Sequence, residues 1–151
     1  GGRAPARRFT CAFRDGTVGF VDVCSAPVKT ASRMREKLAE YAAEDAPWPL
    51  CAQILDPVRA TVVCEGPLRI LEAASWFLNA DSAPEPVAAE PRLGGGGGKS
   101  RGGLPICRVK NKFALDDSEL VGGYRDLMLC GVLEGKNGLR IIGEIQIQDK
   151  V

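Results

Sequence analysis

Three short stretches toward the end of the chain carry residue types that together suit a phosphorylated ligand. Arg108-Val109-Lys110-Asn111-Lys112-Phe113 alternates cations with other residues, Gly123-Tyr124-Arg125-Asp126-Leu127 places an aromatic ring after a permissive glycine, and Glu144-Ile145-Gln146-Ile147-Gln148 sets a carboxylate in a strand-like alternation. Cations neutralise phosphate oxygens, a ring stacks on a base, and a carboxylate holds a hard divalent cation through oxygen. The expectation is a nucleotide site. Asp56 opens a β-branched run earlier in the chain, and two carboxylates from different strands can converge across a sheet to hold Mg²⁺ with phosphate oxygens, which pairs Asp56 with Glu144. Lys29, Arg33 and Lys37 share one face of a helical pattern and add a basic stripe.

Each feature also has a plain structural explanation. The Glu144, Gln146 and Gln148 side of the last strand could be a solvated edge, Asp56 an ordinary polar residue at a strand start, and the basic helix stripe a surface. Arg108, Lys110 and Lys112 could discourage edge-to-edge pairing of a strand, and Tyr124 could be a core residue.

The elements that must position these residues follow from periodicity. Phe9 to Phe13 and Thr17 to Val23 flank Arg14-Asp15-Gly16, a hairpin signal. From Thr30 to Glu44 the spacing of Ala31, Met34, Leu38, Tyr41 and Ala42 predicts a helix with those residues inward, ended by Pro47-Trp48-Pro49. Ile54 to Cys64 reads as a strand with Arg59, Thr61 and Val63 on one side. Pro67 to Ala80 reads as a helix whose core face is Leu68, Leu71, Ala74 and Phe77 or Leu78, and a strand, a helix and a later strand imply a βαβ crossover. Residues 81–103 turn to Pro, Ala, Ser and Gly and read as a flexible insertion. Ile106 to Phe113, Tyr124 to Leu133 and Leu139 to Gln148 read as three strands, the last two joined at Lys136-Asn137-Gly138. The fold class is α+β or mixed α/β, in one domain over 1–151.

Composition excludes several classes. The 151 residues suit about one domain, and 45% hydrophobic with 26% charged residues fits a globular chain. A formal charge of +1 gives no global attraction to nucleic acid, which is not the favoured partner. No apolar run nears the roughly 18 residues of a membrane span, so the expectation is a soluble protein without a membrane partner. Cys11, Cys24, Cys51, Cys64, Cys107 and Cys130 form no C-x-x-C pair and read as free thiols in a reducing, intracellular compartment. With no histidine, a Ser-His-Asp or Cys-His nucleophile is excluded. Gly98-Lys99-Ser100 imitates the end of a P-loop, but Leu93 stands at the first glycine position and no strand precedes the run.

In order and type these residues resemble the RelA/SpoT-type (p)ppGpp synthetase domain, over Ala26 to Val151 without the insertion. The resemblance implies a nucleotidyltransferase-like mixed β-sheet flanked by helices, and transfer of pyrophosphate from ATP to the 3′ hydroxyl of GDP or GTP with Mg²⁺. By that likeness Lys29, Ser32, Arg33 and Lys37 handle ATP phosphates, with Arg59, Arg108, Lys110 and Lys112 as further nucleotide-binding cations. Asp56 and Glu144 look like the metal carboxylates, Glu144 also the group that assists deprotonation, Gln146 its companion, and Gly123 with Tyr124 the guanine-stacking motif. The chain departs from the pattern where Met128 stands in place of a histidine, and where Thr61 stands at an expected arginine while Arg59 lies three residues after Asp56. Those departures leave two alternatives, a catalytically degenerate relative that binds guanine nucleotides or RNA, and a structural or interaction domain. The chain stops after the Glu-x-Gln strand where relatives continue with a helix, so a fragment truncated at its C-terminal end is expected.

Overall fold

The computed structural model describes residues 6–82, 103–120, 122–135 and 137–150. Its first hairpin joins β1 (Arg7–Ala12) to β2 (Val18–Ser25) in antiparallel register, with Gly16 at φ 82° supplying the turn that Asp-Gly announces. Helix α1 (Ala31–Ala43) starts at Thr30, whose hydroxyl accepts from the Arg33 backbone N–H. Strand β3 (Val58–Cys64) leads through Gly66 and Pro67 into helix α2 (Pro67–Leu78). After residues 83–102, which lie outside the described residues together with most of the 81–103 insertion, come β4 (Ile106–Asn111), β5 (Leu127–Glu134) and β6 (Arg140–Asp149). Leu104 N–H donates to Phe77 O at 2.7 Å, so the chain re-enters the fold beside the end of α2.

The strands form one six-stranded sheet in the order β1-β2-β3-β6-β5-β4. Only β3 and β6 run parallel, so the crossover that begins with α2 closes on β6 rather than on the next strand in sequence. One sheet face is apolar. Val21, Val62, Cys64, Leu129 and Ile147 point there and bury against Ile70, Ala73 and Ala74 of α2, with Trp76 and Phe77 at its border. Phe13 stacks on Trp76 at 5.9 Å between ring centroids and lies under the Arg69 guanidinium, which also pairs with Asp15 at 2.8 Å. That pairing fastens the first hairpin to α2.

Two expected core faces are corrected. In α2, Ala74 is buried and Phe77 packs on the core as expected, but Ile70 and Ala73 complete the stripe, while Leu68 is 76% exposed and Leu71 64% exposed. The helix is apolar on nearly every side, so periodicity alone admits either stripe. In α1 no residue is buried, and Met34, Leu38 and Tyr41 are only half-covered, because among the described residues this helix packs on the short 3₁₀ turn Leu50–Gln53 rather than on the sheet. The expected strand from Ile54 is also shorter. It begins at Val58, which leaves Asp56 in the loop before it.

Candidate functional site

The second sheet face is the polar one, and the register fixes what lies on it. Arg59 of β3 stands opposite Glu144 of β6 and Thr61 opposite Gln146, while on the other side Cys130 faces Glu144 and Met128 faces Gln146. On β4, Arg108 stands opposite Cys130 and Lys110 opposite Met128. Paired residues share a face. Arg59, Glu144, Gln146, Arg108 and Lys110 are therefore presented together, as the period of two in each strand predicts. A register shift between Ile106 and Arg108 is what aligns the basic residues of β4 with this face.

Beside this face the loop before β3 runs against the segment after β2. Ala26 N–H donates to Arg59 O and Lys29 N–H to Pro57 O, both at 2.9 Å. These backbone bonds put the Lys29 ammonium 2.5 Å from Asp56 Oδ1, partly screened from water. Lys37 bonds Glu40 at 3.2 Å and lies 5.5 Å from the Tyr41 ring. Glu40, then Tyr41, hold it above the ordinary lysine range.

Glu144 is 9% exposed and accepts from Gln146 Nε2 at 2.7 Å. Burial pushes its carboxyl up; the Gln146 hydrogen bond opposes this, Asp56 adds to it and Arg59 opposes it. Tyr124, 42% exposed, donates its hydroxyl to Gln148 Oε1 at 2.7 Å, with Gln146 Oε1 farther away at 3.4 Å. Burial, then the charge of Asp126, raises the phenol above its usual range. A cleft of about 340 Å³ opens here, lined by Arg59, Thr61, Tyr124, Gln146 and Gln148 and by the chain after β2. On the other side of Tyr124 a smaller hollow of about 180 Å³ is lined by Lys110, Lys112 and Tyr124.

The expected site residues divide accordingly. Glu144, Gln146, Arg59, Arg108 and Lys110 lie on the polar face, Tyr124 lines its cleft, and the Lys29–Asp56 pair belongs to the loops beside it, whereas Lys37 bonds Glu40 on α1. Gly123 at φ 70° forms the turn that presents Tyr124. Lys112 is not on the strand; it lies in a 3₁₀ turn, Lys112–Ala114, with its ammonium 5.0 Å from the Tyr124 ring centroid and 3.0 Å from Asp126. Ser32 is exposed in the first turn of α1, and Arg33 is exposed and paired with Glu36, so neither is brought onto the cleft.

Two residues of the site were given no role from the sequence. Gln148 was legible, because alternation from Glu144 puts it on the same face. Asp126 was not, since a charged residue just before a strand ordinarily reads as solvated.

Among solved structures, the chain is similar to the small alarmone synthetase 1 of Bacillus subtilis, with a TM-score of 0.51 at 16% identity, over 84% of this chain and 53% of that one. The fold is similar to that of a RelA/SpoT-type (p)ppGpp synthetase. A second structure of that enzyme, bound to its product pppGpp, gives a TM-score of 0.49 at 15% identity over the same shares. The chain thus spans about half the length of these proteins, 53%. No protein-family model and no curated protein matches the sequence. The mixed sheet with its helices is the nucleotidyltransferase-like architecture that the sequence resemblance implies. Among the described residues no helix is long and apolar enough to cross a membrane.

Proposed function

We propose that the polar sheet face is a guanine-nucleotide site and that the domain transfers pyrophosphate from ATP to the 3′ hydroxyl of GDP or GTP. The observation that carries this reading is the alternation of β6, which sets Glu144 and Gln146, joined by a hydrogen bond, on one face with Gln148, the residue that accepts from the Tyr124 hydroxyl. The cations around it supply the phosphate side. Lys29 pairs with Asp56, and Arg59, Arg108 and Lys110 line the polar face.

Asp56 and Glu144 are the residues that would hold Mg²⁺. Both are hard oxygen donors, and this ion takes one or two carboxylates from a protein and completes its shell with water and phosphate. When bound, the ion would neutralise charge on the phosphates. The protein's own part is positioning and electrostatics. Lys29, paired with Asp56, would serve as a cation for the donor phosphates, Arg59 and Lys110 would spread charge on the transferring group, and Tyr124 would orient the acceptor through its base. Glu144, held by burial above the usual carboxylate range, is the group available to take the proton of the acceptor hydroxyl.

A second reading is favoured by one observation. Met128 lies on this face between Lys110 and Gln146, so a thioether stands where a family pattern places a histidine. A relative that binds guanine nucleotide without transferring pyrophosphate fits that feature. Incubation of the protein with labelled ATP, GDP and Mg²⁺ separates the two: guanosine tetraphosphate supports the enzyme, and GDP binding without product supports the binder.

A further inference from the structure

Asp126 is unexplained by the nucleotide reading. It is 0% exposed, and among the described residues neither of its carboxylate oxygens has a hydrogen-bond partner. A buried carboxylate left so is strongly destabilising unless a cation compensates it. Lys112 does this, with Nζ 3.0 Å from Asp126 Oδ1 as a charge contact rather than a directed hydrogen bond.

The backbone holds that pair in register. Lys112 N–H donates to Asp126 O at 2.9 Å. Arg125 Nη1 donates to the carbonyls of Lys112 at 3.2 Å and Leu115 at 2.8 Å, and Arg125 Nη2 donates to Asp117 at 2.6 Å. The turn carrying Lys112 is therefore clasped to the residues that follow Tyr124. This leaves the Lys112 ammonium 5.0 Å from the Tyr124 ring centroid, on the side of the smaller hollow that Lys110, Lys112 and Tyr124 line. The Tyr124 hydroxyl donates to Gln148 Oε1, and both residues line the larger cleft.

We propose that Lys112, held by Asp126, is a positioning residue that closes one side of the Tyr124 ring, so that a guanine base stacks only from the larger cleft. Lys112 is then part of the base platform and not a phosphate ligand. The inference rests on the guanine-nucleotide reading and adds to it which cation serves the base. Lys110, whose charge has no such buried partner among the described ion pairs, is left to serve phosphate.

Calorimetric titration of the full chain with guanosine and with GDP tests this, because a platform residue serves both ligands while a phosphate ligand serves one. The double variant Lys112→Met/Asp126→Asn removes both charges without leaving either one buried alone. It should weaken guanosine and GDP by the same factor, about three- to tenfold for a lost cation–π contact. Lys110→Ala should weaken GDP and leave guanosine unchanged. Asp126→Asn alone, near in shape to the original, releases the Lys112 ammonium and should raise the ratio of GDP to guanosine affinity. It provides the test where the double variant fails to fold. A double variant that loses GDP but not guanosine, or an Asp126→Asn ratio equal to wild type, overturns the proposal while the nucleotide reading stands. A folded wild-type chain that binds neither ligand overturns that reading and this inference with it.

Discussion

Removing the ring of Tyr124 should abolish most nucleotide affinity while leaving the fold nearly intact. The side chain is 42% exposed and sits in the turn before β5, so Tyr124→Ala deletes little packing. Base stacking on an aromatic side chain contributes about 1 to 3 kcal/mol. At about 1.4 kcal/mol per tenfold, the variant should bind GDP about 5- to 150-fold more weakly. Tyr124→Phe keeps the ring and loses only the hydroxyl bond to Gln148 Oε1. That bond is internal to the protein and contributes about 0.5 to 1.5 kcal/mol to stability, so the phenylalanine variant should lose that much stability while binding GDP far better than the alanine variant. Calorimetric titration with GDP, beside a urea unfolding curve for each variant, measures binding and stability separately. Two results would refute the reasoning: alanine and wild-type proteins binding GDP within a factor of two, or Tyr124→Ala losing as much stability as a core truncation, which would make Tyr124 a packing residue.

Other consequences are independent of the ligand. Leu129 and Ile147 are among the largest fully buried side chains, under α2, and Leu129→Ala should lower unfolding free energy by about 2 to 5 kcal/mol in urea titration. Asp15 is held down to about 2, first by its hydrogen bond from Arg69 and then by bonds from Thr17. A depressed carboxylate stabilises the fold above its unfolded value of about 4, and that contribution is lost as pH falls through the folded value. The wild-type melting temperature should therefore drop between pH 4 and about 2, and Asp15→Asn should flatten that part of the profile; equal slopes would show that the Arg69 pairing does not fasten the hairpin in solution.

How much of this was legible in the sequence depends on whether a residue's role is local. Alternation in Glu144 to Gln148 fixes one polar and one apolar face, and the sheet keeps both, with Ile147 buried and Glu144 beside Arg59. Thr30 and Pro67 mark helix starts through capping and ring geometry, which are local rules. Asp-Gly likewise gives the first hairpin. The α2 core face is another matter, since Leu68 and Leu71 and the stripe from Ile70 to Ala74 are both apolar and only tertiary contact with Val62 and Ile147 selects between them. The parallel pairing of β3 with β6 joins residues more than eighty positions apart, for example Arg59 with Glu144, and no short window reports it. Burial of Asp126 is hidden for the same reason. Its compensating cation, Lys112, sits fourteen residues earlier in a turn whose position is set by Arg125.

The central claim is that the polar face carries pyrophosphate transfer to a guanine nucleotide, and the most direct measurement is product formation from labelled ATP and GDP with Mg²⁺, in wild type and in Glu144→Gln. The account predicts guanosine tetraphosphate from wild type and at least about a hundredfold less from the glutamine variant, in line with the typical contribution of a positioned proton acceptor. Folded wild-type protein that binds GDP but makes no product, or a Glu144→Gln variant as active as wild type, would contradict it.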